Sequence, residues 1–199
     1  MKRLLGTLLL ALPLFTLIAC TKDTPTNNTL SVADLTDREK ALFSMVSDQY
    51  VVFDFNQDGA YKEVSVGIEK YESGELVSEQ IGSIRTEIEE KGSIMFAISK
   101  SDDKEEQQII HIGISDNSGS MSGSEVNSSE MNHMSSVWGF TEEEIIPQEG
   151  KMVLASLCYS SDENGMSALS SDFYGDAEGH MDELDGYDVV YLLNAEFSK

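Results

Sequence analysis

The chain has 199 residues, 40% of them hydrophobic, and carries 36 Asp and Glu against 13 Lys and Arg, a formal net charge of −23. That apolar content can build a core and, being arranged in patterned runs, excludes a disordered acidic tail. The charge excludes nucleic acid and anionic lipid headgroups as partners, since both are repelled; it suits cations, cationic peptides or solubility at a crowded surface.

Lys2 and Arg3 open the chain, and Leu4 to Ile18 is apolar but for Gly6, Thr7, Pro13 and Thr16. A comfortable membrane span needs ~20 apolar residues, and Pro13 disfavours a continuous helix. Charged start, short apolar middle and a small residue before the cleavage point form a signal-peptide pattern over residues 1–19. Leu17-Ile18-Ala19-Cys20 resembles the lipobox of bacterial lipoproteins. The resemblance covers the first 20 residues. It implies cleavage before Cys20, a diacylglycerol thioether on its sulfur and an N-acyl chain, and two or more acyl chains give stable anchoring. It also implies a place on the outer face of the bacterial cytoplasmic membrane, or in the outer membrane of a Gram-negative cell. The polar run Thr21–Thr29, with Pro25, cannot bury enough surface to order itself, so residues 20–30 are expected to be a lipidated tether. Residues 31–199 have the size of a single domain. The leader removes Lys2 and Arg3 and no acidic residue, so the mature charge goes from −23 to −25.

Residues 34–49 predict a helix: Thr36 and Glu39 have capping-box spacing, and Ala41, Leu42, Met45 and Val46 recur at helical intervals. From Tyr50 the period becomes two. Val51, Phe53 and Phe55 share a face; Asn56–Gly59 reads as a hairpin turn; Val64, Val66 and Ile68 follow. Glu72–Glu75 turns again, Ile84, Thr86 and Ile88 alternate with charges, Lys91-Gly92 turns, and Ile94, Phe96 and Ile98 precede a polar loop from Ser101 to Glu106. Ile110, Ile112 and Ile114 complete five candidate strands, a meander with one buried face. Ser115–Ser136 is rich in Ser, Gly, Asn and Met and predicts a long loop; strands resume at 151–159 and 187–197, separated by an acidic loop over 161–186. These stripes are best buried by two sheets packed face to face. The expected fold is mainly β, an antiparallel β-sandwich with one N-terminal helix.

Asp116-Asn-Ser118-Gly-Ser120, after the apolar run Ile109–Ile114, looks like the metal-ion-dependent adhesion site of von Willebrand A-type domains. The resemblance implies a divalent ion, Mg²⁺ or Ca²⁺, held by Asp116, Ser118 and Ser120, which are hard oxygen ligands. That family follows its motif with a helix on a parallel sheet, so antiparallel strands here favour the sandwich instead. Asp54, Asn56, Asp58 and Gly59 match the start of an EF-hand loop, but its twelfth position is Ser65, and a turn is the better reading. Met121, Met131, His133 and Met134, with His180-Met181, are soft ligands suited to Cu(I). The acidic loop could gather Ca²⁺ through several carboxylates. Tyr159, Tyr174, Tyr187, Tyr191 and Trp138 could furnish a stacking surface. With Cys20 committed to lipid, Cys158 has no disulfide partner and reads as a small buried hydrophobe. No nucleophile–base pair, phosphate loop or zinc-protease motif stands out, so the expectation is a binding or structural module of the cell envelope, meeting an envelope protein or glycan, rather than an enzyme. A cation-dependent adhesion module is the alternative, and an envelope hydrolase a weaker one.

Overall fold

The structure, a computed structural model, describes residues 28–100, 108–127, 131, 133–162 and 165–199. The leader, Cys20, most of the tether, the loop Ser101–Glu106 and Glu163 lie outside the described residues.

Among the described residues ten strands form two antiparallel five-stranded sheets. Sheet one holds, in spatial order, β1 (Thr29–Val32), β2 (Gln49–Asn56), β5 (Lys91–Lys100), β6 (Gln108–Asp116) and β7 (Ser120–Asn127). Sheet two holds β4 (Glu75–Glu87), β3 (Glu63–Glu72), β10 (Val189–Ser198), β9 (Lys151–Ser160) and β8 (Ser135–Phe140). The period-two residues do what their spacing demands. Val51, Phe53 and Phe55 of β2, Ile94, Phe96 and Ile98 of β5, and Ile110, Ile112 and Ile114 of β6 meet Val64, Val66 and Ile68 of β3 and Leu193, Ala195 and Phe197 of β10 in one buried core. Phe55 from sheet one and Tyr61 both pack edge-on to Phe197, with ring centroids 5.6 and 5.7 Å apart.

The seven expected strands are present, as β2 to β6, β9 and β10, and are joined by β1, β7 and β8, which the sequence does not predict; the first five expected strands do not form a meander. β2 and β3 lie in opposite sheets, as do β4 and β5. Asn56–Gly59 is therefore a corner between sheets and not a hairpin, and Lys91-Gly92 begins β5 instead of turning. Gly59 still supplies the positive φ, +81°, that the corner needs. One side chain stitches the two crossings together. Gln57, 2% exposed, donates from Nε2 to the carbonyls of Tyr61 (3.0 Å) and Glu89 (3.2 Å), and its Oε1 accepts from the N–H groups of Gly59 (2.9 Å) and Tyr61 (3.1 Å). The Glu72–Glu75 turn is a hairpin as expected, with positive φ at both Ser73 (48°) and Gly74 (79°).

Three further differences matter. First, residues 120–127 form β7, paired along its length with β6, although the sequence predicts a loop there. Ladder hydrogen bonds and packing against β4, where a Cβ on Gly123 would sit 3.2 Å from Ile84, override weak strand propensity. Second, the helix α1 (Asp37–Val46) has its capping box, but buries no residue. Leu42, Met45 and Val46 are exposed, because the core is already closed by strands; Phe43 stacking on Tyr50 at 4.8 Å holds the helix down. Third, the acidic 161–186 segment is no simple loop. It contains helix α2 (Ser171–Gly175) and a 3₁₀ segment (Glu178–Gly186), and buries Leu169, Phe173, Tyr174 and Leu184 against Tyr71, Val153, Cys158, Val190 and Leu192 on the outer face of sheet two. Its carboxylates are partly structural: Glu183 accepts from the N–H of Ser170 at 2.9 Å, and the Ser170 hydroxyl caps α2.

Truncating Phe173, which is fully buried, to Ala should cost ~3–5 kcal/mol. Met45→Ala, on the open face of α1, should stay within about 0.5 kcal/mol of the wild type. Urea unfolding of both variants measures the contrast.

Candidate functional site

Asp116, Ser118 and Ser120 are brought together at the β6–β7 hairpin, around a hollow of about 190 Å³ shared with Thr86 and Glu87. The Asp116 carboxylate is committed to the turn. Its Oδ1 accepts from the Ser118 N–H (2.8 Å), the Ser118 hydroxyl (2.6 Å) and the Gly119 N–H (3.1 Å), and its Oδ2 accepts from the Glu89 N–H at 2.8 Å. These donors, the Ser118 hydroxyl foremost, hold the carboxyl below its usual 3.8. A strand, not a helix, follows the motif, and the sheet is antiparallel. The arrangement is that of an Asx turn tying the hairpin to the β4–β5 crossing.

The other sequence candidates are dispersed. Asp54 sits in β2, accepting from the Ser93 hydroxyl at 2.7 Å, while Asp58 caps the corner through the Ala60 N–H at 3.1 Å. Met131 and Met134 pack with the main core, and Met181 packs on the opposite face of sheet two. His111, on the outer face of sheet one, bonds the hydroxyls of Ser99 (2.8 Å) and Ser124 (3.1 Å). Tyr159 and Tyr191 point into the main core, Tyr174 and Tyr187 pack in the outer cluster, and Trp138 packs partly buried against the main core with its Nε1 lacking a partner, so the five form no common stacking surface. Cys158 is buried and its thiol is pushed up to about 12 by desolvation, which leaves it unreactive. Among the described residues no group of three or more His, Cys, Asp or Glu is placed to hold a metal.

A site that the sequence does not advertise lies on the outer face of sheet two. The acidic segment covers this face over Val190 and Leu192 of β10 and leaves the rest open, where a cleft of about 590 Å³ is floored by β3 and β10. Two register breaks shape it. Ile68 pairs with Gly82 but Lys70 pairs with Ser78, so β4 bulges outward and its Glu79 and Gln80 wall the cleft. The β9–β10 ladder slips between Leu193 and Asn194. The floor is Gly67 beside Asn194, with Arg85, Ser65, Glu196 and Lys151 in one row across the four strands.

Two groups in the cleft are unusual. Glu69 is a carboxylate at 3% exposure. Lys151 reaches over β10 to donate to its Oε1, and the Tyr71 hydroxyl donates to its Oε2 at 3.2 Å. A buried charge needs such partners. Burial, then the neighbouring Glu69 charge, push the Tyr71 hydroxyl up to about 12, so it stays a donor. Asn194 is 9% exposed, lines the cleft, and its amide has no hydrogen-bond partner among the described residues. Its oxygen and nitrogen are not buried orphans, since the one buried side-chain polar atom without a partner among the described residues is Trp138 Nε1; they open onto the cleft, where a ligand can reach them. The sequence signal was the outward face of β10, apolar at Val190 and Leu192 and polar at Asn194 and Glu196.

Asp116→Ala should be less stable than the wild type at neutral pH. Because the folded carboxyl titrates below 3.8, the contribution of its charged form is complete above that value and is lost as pH falls through the folded one. The gap between the two proteins in urea unfolding should therefore hold from pH 7 to about pH 4 and narrow below.

The model of one protein family, described as the YgaN domain, matches residues 29–197, from the first residue of β1 to the penultimate residue of β10. No curated protein and no solved structure matches the chain. Both sheets, the acidic cover and the cleft all fall inside the matched span, and the chain belongs to the YgaN-domain family.

Proposed function

We propose that this chain is a lipid-anchored, extracytoplasmic binding module of the bacterial cell envelope, with the cleft on sheet two as its working surface. The leader ending in Leu17-Ile18-Ala19-Cys20 supports the anchor, and the polar residues after Cys20 supply a tether to the first strand. The observation that carries the binding assignment is Asn194, a residue 9% exposed whose amide has no hydrogen-bond partner among the described residues and opens onto the floor of a cleft. Clefts of roughly 300–1,000 Å³ with a few converging polar groups are the usual form of a small-ligand site. Binding is favoured over catalysis because Glu69, the best candidate for a general acid or base, is already charge-paired with Lys151 and hydrogen-bonded by Tyr71. On this reading the ligand is an envelope component, a glycan or a segment of another envelope protein, and nucleic acid is repelled by the −23 charge.

Expressed from its own leader in a bacterial host, the protein should sediment with membranes and carry acyl mass on an N-terminal Cys20. Cys20→Ala should remain unprocessed or leave the membrane fraction without acyl mass. A wild-type protein with an unmodified Cys20 removes the anchor from the proposal.

A further inference from the structure

We infer that the cleft takes a small ligand through a primary ammonium group. The inference rests on the reading of the cleft as the binding site, and it follows from the charges that remain once internal partners are assigned. Glu69 and Lys151 neutralise each other. The other charged lining residues are Glu79, Glu196 and Arg85, and none of the three has an ion-pair partner among the described residues. The cleft is thus left one charge negative, in a chain whose whole field is negative. A concave, partly desolvated surface concentrates such a field and draws in cations while turning anions away. Apolar ligands are disfavoured by a floor and walls of carboxylate, amide and hydroxyl groups.

Asn194 offers the floor both a carbonyl acceptor and NH₂ donors, and the choice of a cation comes from the carboxylates around it. Its amide carbonyl accepts hydrogen bonds, and an ammonium group is a donor three times over. A charged donor on an amide carbonyl makes a stronger hydrogen bond than a neutral donor does. Glu196, one strand position pair beyond Asn194 on the same face of β10, and Glu79 on the β4 bulge supply the counter-charge. Gly67 leaves the floor open beside the amide. A Cβ there would lie 3.4 Å from Asn194 Oδ1 and 3.7 Å from the Gly82 carbonyl and from Ser83 Cβ, which is ordinary contact. Ala at 67 is therefore compatible with the fold, and its methyl group occupies the space next to Asn194.

The test uses the detergent-solubilised full chain, 1,5-diaminopentane as the cationic probe, and glutarate and maltose as anionic and neutral probes, with thermal melting as the readout. The diamine should raise Tm in a saturable way. Its half-saturation should weaken about tenfold or more in Asn194→Ala, which loses a hydrogen bond to a charged group without changing the net charge, and similarly in Gly67→Ala. Glutarate and maltose should leave Tm unchanged. A diamine effect that does not saturate, or that is equal in the wild type and both variants, is general attraction to a polyanion and overturns the inference. A saturable shift with glutarate or maltose that Gly67→Ala abolishes overturns the ammonium assignment and leaves the cleft as the binding site. If no probe gives a shift sensitive to Gly67→Ala, both the ammonium assignment and the cleft reading fail.

Discussion

The structure depends on one strand that must satisfy two faces. β10 lies at the centre of sheet two, between β3 and β9. Its inward residues, Val189, Tyr191, Leu193, Ala195 and Phe197, belong to the sandwich core. Its outward residues divide: Val190 and Leu192 are apolar and need a cover, whereas Asn194 and Glu196 are polar and need solvent or a partner. The acidic segment meets the first demand by laying Leu169, Phe173 and Leu184 over the apolar half. It stops where the polarity changes, and the cleft begins there. Cover and cleft are two answers to the same constraint, that a buried surface must match its neighbour in polarity.

Other features hold that arrangement in register. Besides the passage from β7 to β8, the chain crosses between sheets at 57–62 and 88–90, and these two crossings are pinned by side chains that act as substitutes for backbone ladder. Gln57 bonds backbone from both crossings, and Asp116 bonds its own turn and the Glu89 N–H. At one edge the sandwich is closed by reciprocal hydrogen bonds between Leu30 and Ile145, each 2.8 Å. At the other, β4 packs on β7. Exposed strand edges invite pairing with other chains, and these contacts blunt two of them; the one buried side-chain polar atom without a partner among the described residues, Trp138 Nε1, belongs to a side chain packed on the main core and not to the cleft.

Much of the sandwich is legible in the sequence because period two is a direct consequence of strand geometry. Val51, Phe53, Phe55, Ile94, Ile98, Ile110, Ile112 and Ile114, and Val64, Val66 and Ile68 all point inward, as their alternation requires. Connectivity was not legible: Asp58-Gly59 supplies a positive φ equally well to a hairpin or to a corner between sheets. β7 was hidden because Ser120–Asn127 has few strand formers and is held by its neighbour. The acidic segment was hidden by its own charge, since Leu169, Phe173 and Leu184 are scattered among carboxylates with no regular period. The α1 face at Leu42, Met45 and Val46 has helical spacing without a partner to bury it. The cleft was least legible. Glu69, Lys151 and Asn194 come from three strands, and the bulges that wall the cleft exist as register breaks between strands, not as residues in a line. The Asp-x-Ser-x-Ser motif, by contrast, was conspicuous in sequence and serves in the structure as a hairpin cap.

The fold itself makes no use of the Asn194 amide, which has no hydrogen-bond partner among the described residues and opens onto the cleft. Urea unfolding of Asn194→Leu tests this directly. With no protein partner to lose, the variant should stay within about 0.5 kcal/mol of the wild type at an unchanged slope. A midpoint lowered by the equivalent of about 1 kcal/mol or more would mean that Asn194 already stabilises the native fold, and would contradict the account of the cleft as a surface kept open for another molecule.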